Sequence, residues 1–139
     1  MTPSFRLRGL LLACALTTTL PAFADTGAAA PPRLSDLAPP RAPDAAEPRQ
    51  VTPLGDFGNA RLVQLQVRAG TQMPAHAAPE RVLVIVLAGS GRFEFGDEYV
   101  PLRARQVLHM APGESHAVLA ETDLDLLLVR IDEAANAAP

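Results

Sequence analysis

The sequence predicts an all-β fold, a small barrel or sandwich of short strands, and three observations carry that expectation. From Leu54 to Ile131, apolar and polar residues alternate with a period of two in one short segment after another. Turn signals separate these segments, at Ala69-Gly70, Gly89-Ser90-Gly91, Gly96-Asp97 and Pro112-Gly113. No part of this region keeps the 3.6-residue period of an amphipathic helix.

Two segments precede the strands. Residues 1–24 read as a signal peptide. Arg6 and Arg8 give a short basic start, Gly9 to Leu16 is an apolar run, and Ala22-Phe23-Ala24 puts small residues at both positions that a signal peptidase reads. The run is shorter than the roughly 20 residues a membrane span needs. The expected product, cleaved after Ala24, is therefore periplasmic or secreted, with no membrane span. Cys14, the only cysteine, leaves with the signal, so the mature chain has neither a disulfide nor a reactive thiol. Residues 25–53 hold Pro31, Pro32, Pro39, Pro40, Pro43, Pro48 and Pro53 among many alanines. Proline removes backbone donors, and few bulky apolar residues offset the entropy of ordering. This stretch is expected to be a disordered Pro/Ala-rich linker.

The folded domain is expected over residues 54–131. Val63, Leu65 and Val67 share one strand face, and Gln64 and Gln66 the other. Val82 to Leu87 is a continuous, β-branched run, as expected of a strand buried on both faces. Phe93 and Phe95 alternate with Arg92 and Glu94, and Gly96-Asp97 between Phe95 and Tyr99 suggests a hairpin. Val107 and His109 alternate with Leu108 and Met110; Leu124 to Ile131 is a last, mostly apolar strand. Residues 132–139 form an Ala-rich tail expected to fray. A core of this size is marginal and would gain from pairing with a second copy, so a homodimer is a natural expectation.

Composition narrows the chemistry. All 12 basic residues are arginine, against 15 acidic ones, and the formal charge is −3. Loss of Arg6 and Arg8 with the signal leaves a formal charge of −5. Nucleic acid is thus not expected as a partner, because phosphate neutralisation needs a basic surface. There is no G-x-S-x-G elbow, phosphate loop or nicotinamide fingerprint. Arg92, Arg103 and Arg105 could form an anion patch, but Glu94, Asp97 and Glu98 lie close enough in sequence to neutralise it.

Two motifs are more specific. The first runs from Gly70 through His76, Ala78 and Glu80 into Val82 and Gly89; the second is Ala111-Pro112-Gly113-Glu114-Ser115-His116. Together they resemble the paired motifs of the cupin superfamily, G-x5-H-x-H-x3/4-E-x6-G and G-x5-P-x-G-x2-H-x3-N. The resemblance covers nearly all of the folded part and implies a small, single-domain cupin-like (jelly-roll) β-barrel. Gly70, His76 and Gly89 fit the first motif and Gly113 and His116 the second. Ala78 stands where the family has its second histidine, Val82 where it has its glutamate, Arg105 at the opening glycine of the second motif, Ala111 at its proline and Ala120 at its asparagine.

In the family, two histidines and a glutamate from the first motif meet a histidine from the second around a divalent transition metal, a donor set suited to such ions. Here the resemblance implies an incomplete site, His76 and His116. Glu80 is a possible third ligand, since a shift of two keeps a strand face, and Gln72 could also reach inward. Three readings of the histidine pair stay open: a weakly held metal, a metal-free pocket binding a small polar molecule, or buried imidazoles satisfied by the backbone. His109, outside the motif positions, is expected to face solvent. Glu114 and Ser115 are expected to serve the turn before His116. The functional expectation is an exported binding module for a small molecule or loosely held metal. A metal-dependent dioxygenase or isomerase and a ligand-free dimerisation barrel stand as alternatives; catalysis itself is left open.

Overall fold

The structure, a computed structural model, describes residues 31–42 and 46–134. The expected signal peptide, part of the linker and most of the tail lie outside the described residues. Within them, nine strands run in the order β1 (Arg49–Asp56), β2 (Ala60–Val67), β3 (Gln72–Ala77), β4 (Arg81–Ala88), β5 (Ser90–Phe95), β6 (Glu98–Arg103), β7 (Val107–Met110), β8 (Ser115–Ala120) and β9 (Leu124–Ile131). No described segment is an α-helix, and none is a helix long and apolar enough to cross a membrane.

The strands form two antiparallel sheets that close on one another. The larger has the order β1-β2-β9-β4-β7 and the smaller β3-β8-β5-β6. This is the two-sheet jelly-roll barrel. Period-two alternation points one side chain in two at the interior. Val82, Val84 and Val86 of β4 face Leu124 and Leu126 of β9 across the larger sheet, and Phe93 and Val118 close the core from the smaller one. The expectation that Val82 to Leu87 is buried on both faces needs correcting. Leu83, Ile85 and Leu87 are only half-buried, because the barrel has one inside and the outer face of β4 lies towards solvent.

One glycine position shows how tightly the sheets are joined. A Cβ on Gly89, whose φ is +86°, would stand 2.0 Å from the Asp123 carbonyl oxygen. No other residue fits there, and β4 turns directly into β5 at that point. Gly96 and Asp97 form the hairpin between β5 and β6 as expected, with φ +59° at the glycine. Arg105 is the one described non-glycine residue with positive φ, 72°. It occupies the position where the second motif opens with glycine, so the turn keeps the left-handed conformation without the residue that adopts it most easily.

The linker expectation also needs correcting. Strand β1 begins at Arg49 and pairs with β2 along its length, with a bulge between Pro53 and Gly55. Proline inside a strand is tolerated on an edge or at a bulge, and β1 is an edge strand. Upstream, residues 31–42 form an extended strap against the outer face of the larger sheet. Gln64 and Gln66, 0% and 4% exposed, point to that face as their alternation predicts, yet the strap covers them. The Ala38 amide donates to Gln64 Oε1 at 2.7 Å, Gln64 Nε2 donates to the Ala38 carbonyl at 3.3 Å, and Gln66 Nε2 to the Pro39 carbonyl at 3.1 Å. Asp125 steadies both amides, accepting from Gln64 at 2.8 Å and Gln66 at 3.2 Å. The strap contact carries two mismatches among the described residues: Gln66 Oε1 is buried without a hydrogen-bond partner, and the Arg41 side chain, 8% exposed, has none at Nε and Nη1, while Glu47 stands 3.6 Å from Nη2.

Candidate functional site

The two motif histidines meet. His76 on β3 is the antiparallel partner of His116 on β8, and their ring centroids are 4.4 Å apart. A bulge makes this possible. Met73 pairs with Val118 and His76 with His116, so three steps along β3 match two along β8. Without the extra residue, His76 would point away from the face that Met73 occupies. Pro74 lies inside this irregularity, and a proline within a strand is the local sign that could have announced it.

On the other side, the Phe93 ring stacks on His116 at 5.5 Å with 24° between planes. His116 is 6% exposed, whereas His76 stands nearer the solvent. Each imidazole is fixed by a backbone carbonyl two residues upstream: His76 Nδ1 to Pro74 O at 2.9 Å and His116 Nδ1 to Glu114 O at 3.1 Å. A carbonyl only accepts, so Nδ1 donates in both rings, and a neutral ring then presents Nε2 as an acceptor. Burial pushes the His116 pKa below its ordinary value; the neighbouring His76 lowers it too, while the carbonyl and charge of Glu114 oppose the shift.

Glu114 and its turn hold β8 in place. Its carboxylate accepts from the Ala111 amide at 2.9 Å, and the Gly113 amide donates to the Ala78 carbonyl at 2.8 Å. Glu114 therefore serves the turn, as expected. His109 is exposed on the outer face of β7, also as expected. Arg92 bonds Glu94 at 2.9 Å and lies over the Tyr99 ring at 5.4 Å, consistent with a neutralised outer face.

The histidine pair lines a cavity of about 250 Å³ inside the barrel. All four positions matching the family's ligands line it: His76, Ala78, Val82 and His116. The two replacements have turned half of a polar cluster into apolar wall, continuous with Leu65, Val84, Leu126 and Leu128.

Glu80 does not complete a metal site. Its two oxygens accept from Arg130 Nη2 at 3.0 and 2.8 Å, and it is not part of the cavity wall. The argument that a shift of two keeps a strand face fails because β3 ends at Ala77 and Glu80 lies in the turn beyond it, where strand parity no longer applies. The Arg130 guanidinium holds the Glu80 carboxyl below the usual carboxylate range, against the opposing effect of partial burial. Gln72 is exposed and outside the cavity wall. Among the described residues, no group of three His, Cys, Asp or Glu side chains could hold a metal ion. Two imidazoles without a third protein donor do not fit the family's metal.

Arg130 is the site residue that sequence reasoning missed. It lines the cavity at the end of β9 and pairs with Val82 of β4. The signal was available: Leu124, Leu126, Leu128 and Arg130 alternate along one strand, so placing the first three inward places the fourth there too.

Comparison with known proteins agrees with this architecture. The chain matches the AraC-like ligand binding domain family over residues 64–135. No curated protein matches it. Among solved structures it resembles an RmlC-like cupin protein from Desulfovibrio desulfuricans at 22% identity and TM-score 0.56, over 70% of this chain and 98% of that one. It also resembles a predicted oxalate decarboxylase from Thermotoga maritima, at 26% identity and TM-score 0.55 over 60% and 79% of the two chains. A mutant salicylate 1,2-dioxygenase from Pseudoaminobacter salicylatoxidans aligns at 19% identity and TM-score 0.59, over 66% of this chain but 28% of the enzyme.

Proposed function

Because the chain belongs to the AraC-like ligand binding domain family, within the cupin superfamily, we propose that its barrel cavity binds a small organic molecule. One observation carries this reading: the cavity wall is mostly apolar and includes three polar side chains, His76, His116 and Arg130. Apolar walls with a few convergent polar groups are the usual form of a small-molecule site. At about 250 Å³ it suits a ligand smaller than most drugs.

Thermal melts of the protein against a library of small metabolites test the reading. A ligand at a hundred times its Kd stabilises by about 2.7 kcal/mol, which for a domain of this size raises Tm by roughly 10 °C or more. Ala78→Trp, which plugs the cavity from its wall, is expected to abolish that rise. The reading fails when no compound raises Tm, or when the rise is the same in the plugged variant.

A metal-dependent dioxygenase or isomerase has weaker support, since the two carboxylates nearest the histidines in sequence are engaged elsewhere, Glu80 by Arg130 and Glu114 by the Ala111 amide. We also propose that the protein is exported and acts in the periplasm or outside the cell, on the strength of residues 1–24. A mature amino terminus at Asp25 in the periplasmic fraction is the expected result, and an intact Met1 in the cytoplasm the opposing one. Pairing with a second copy belongs to the same proposal. It draws support from Val51 and Phe57, 57% and 55% exposed on and beside the edge strand β1, and sedimentation at micromolar concentration tests it.

A further inference from the structure

We propose that the molecule held in the cavity is uncharged, about the size of one substituted ring, and carries a hydroxyl group that donates its proton in a hydrogen bond to His116 Nε2. The inference rests on the cavity-binding reading above and adds the ligand's chemical class to it.

What the wall can accept and donate limits the ligand. His116 Nδ1 is committed to the Glu114 carbonyl, so the ring's remaining nitrogen is an acceptor. Among the described residues no protein hydrogen bond is made at that nitrogen, and it is not one of the sealed atoms left without a partner, so it opens to the cavity that its side chain lines. A ligand that fills the cavity displaces water from that acceptor, so it binds best when it brings a donor of its own. His76 Nε2 is likewise an acceptor, but its ring is exposed and water can serve it. The buried ring is therefore the discriminating one.

Charge is argued from the same wall. The one full positive charge on it, Arg130, is already matched by both oxygens of Glu80. An anionic ligand would meet a guanidinium whose charge Glu80 already neutralises, and a cationic one would meet no acidic side chain in the wall. Both would lose hydration to apolar side chains. Size follows from volume: a cavity of about 150 Å³ takes up benzene, so one of about 250 Å³ has room for a ring with short substituents. The flat face of Phe93 against His116 favours a planar ring beside the imidazole.

Calorimetric titration of the full chain with p-cresol, 4-methylanisole and 4-methylbenzoate tests the proposal. The first two have the same ring, and differ in that only the first can donate. The expected result is p-cresol bound at least tenfold more tightly than 4-methylanisole, and 4-methylbenzoate more weakly than either. His116→Phe keeps a planar ring and removes the acceptor; it is expected to erase the p-cresol preference, so that p-cresol and 4-methylanisole bind alike. Nitrogen NMR of the imidazoles supplies a readout on the unaltered chain, in which p-cresol shifts Nε2 of His116 and 4-methylanisole does not. Equal affinity for p-cresol and 4-methylanisole overturns the hydroxyl while leaving the cavity-binding reading standing. A preference that survives in His116→Phe, or tightest binding of 4-methylbenzoate, also overturns it. Binding of none of the three, in a protein whose melts respond to other library compounds, overturns the ligand class alone; silence in both assays removes the cavity-binding reading as well.

Discussion

Replacing Arg105 with glycine should make this protein more stable, although the side chain removed is exposed. Arg105 has φ 72°. The backbone cannot easily relax out of that region, because the Arg105 amide donates to the Val86 carbonyl at 2.9 Å and the Val86 amide donates to the Gln106 carbonyl at 2.9 Å. The turn before β7 is locked to β4 on both sides. A residue with a Cβ loses about 1–2 kcal/mol in the left-handed region. Glycine relieves that strain but gains freedom in the unfolded chain, which returns about 0.4–1 kcal/mol of it. The net expectation is a stabilisation of about 1 kcal/mol, or roughly 4–8 °C in Tm for a domain of this size. Urea unfolding and thermal melts of Arg105→Gly and Arg105→Ala measure it together. Alanine keeps the Cβ and removes only the exposed part of the side chain, so it should melt close to the parent. Should the glycine variant melt at or below the parent while the alanine variant is unchanged, the strain argument is wrong.

Three further outcomes follow from other parts of the fold. Gln64→Leu leaves the Ala38 amide without its acceptor and deprives Asp125 of a donor; at about 1–3 kcal/mol for groups left unsatisfied, tryptic cleavage after Arg41 should accelerate roughly tenfold or more, and an unchanged rate would count against the strap's anchoring. Arg41→Met removes the buried guanidinium nitrogens that have no partner among the described residues, and hydrogen exchange at the Ala38 amide should slow by about tenfold; faster exchange would mean that the Glu47 pairing matters more than the mismatch. His116 has a folded pKa below its ordinary 6.5, so the unfolded chain takes up a proton first. Its contribution to stability is full above pH 6.5, declines as the pH falls below that value, and is exhausted once the pH has passed through the folded pKa; His116→Phe should flatten that window, and an identical pH profile would contradict the assignment.

The barrel was legible because its signals are local. Alternation of apolar residues and glycine turns place a strand wherever they occur, and β2, β4, β5 and β9 all follow them. Strand β1 escaped because Pro53 and Gly55 break the alternation at its bulge. The histidine pair was legible from motif spacing alone. Its surroundings were not, since each depends on a distant partner: Glu80 is claimed by Arg130 fifty residues away in sequence, and the strap is held by glutamines that read as ordinary outward-facing polar residues. Arg105 shows the opposite case. The motif's departure there was visible in the sequence, and the backbone kept the conformation the missing glycine would have supplied.

The way Gln64 and Gln66 hold residues 38 and 39 decides where change can accumulate. They grip main-chain oxygens and one main-chain amide, atoms that nearly every amino acid owns. Spelling at positions 38 and 39 can therefore drift almost silently, with proline forbidden at position 38, where a hydrogen must be given. The receiving sheet has no such latitude: a single altered glutamine would unseat every version of the message at once.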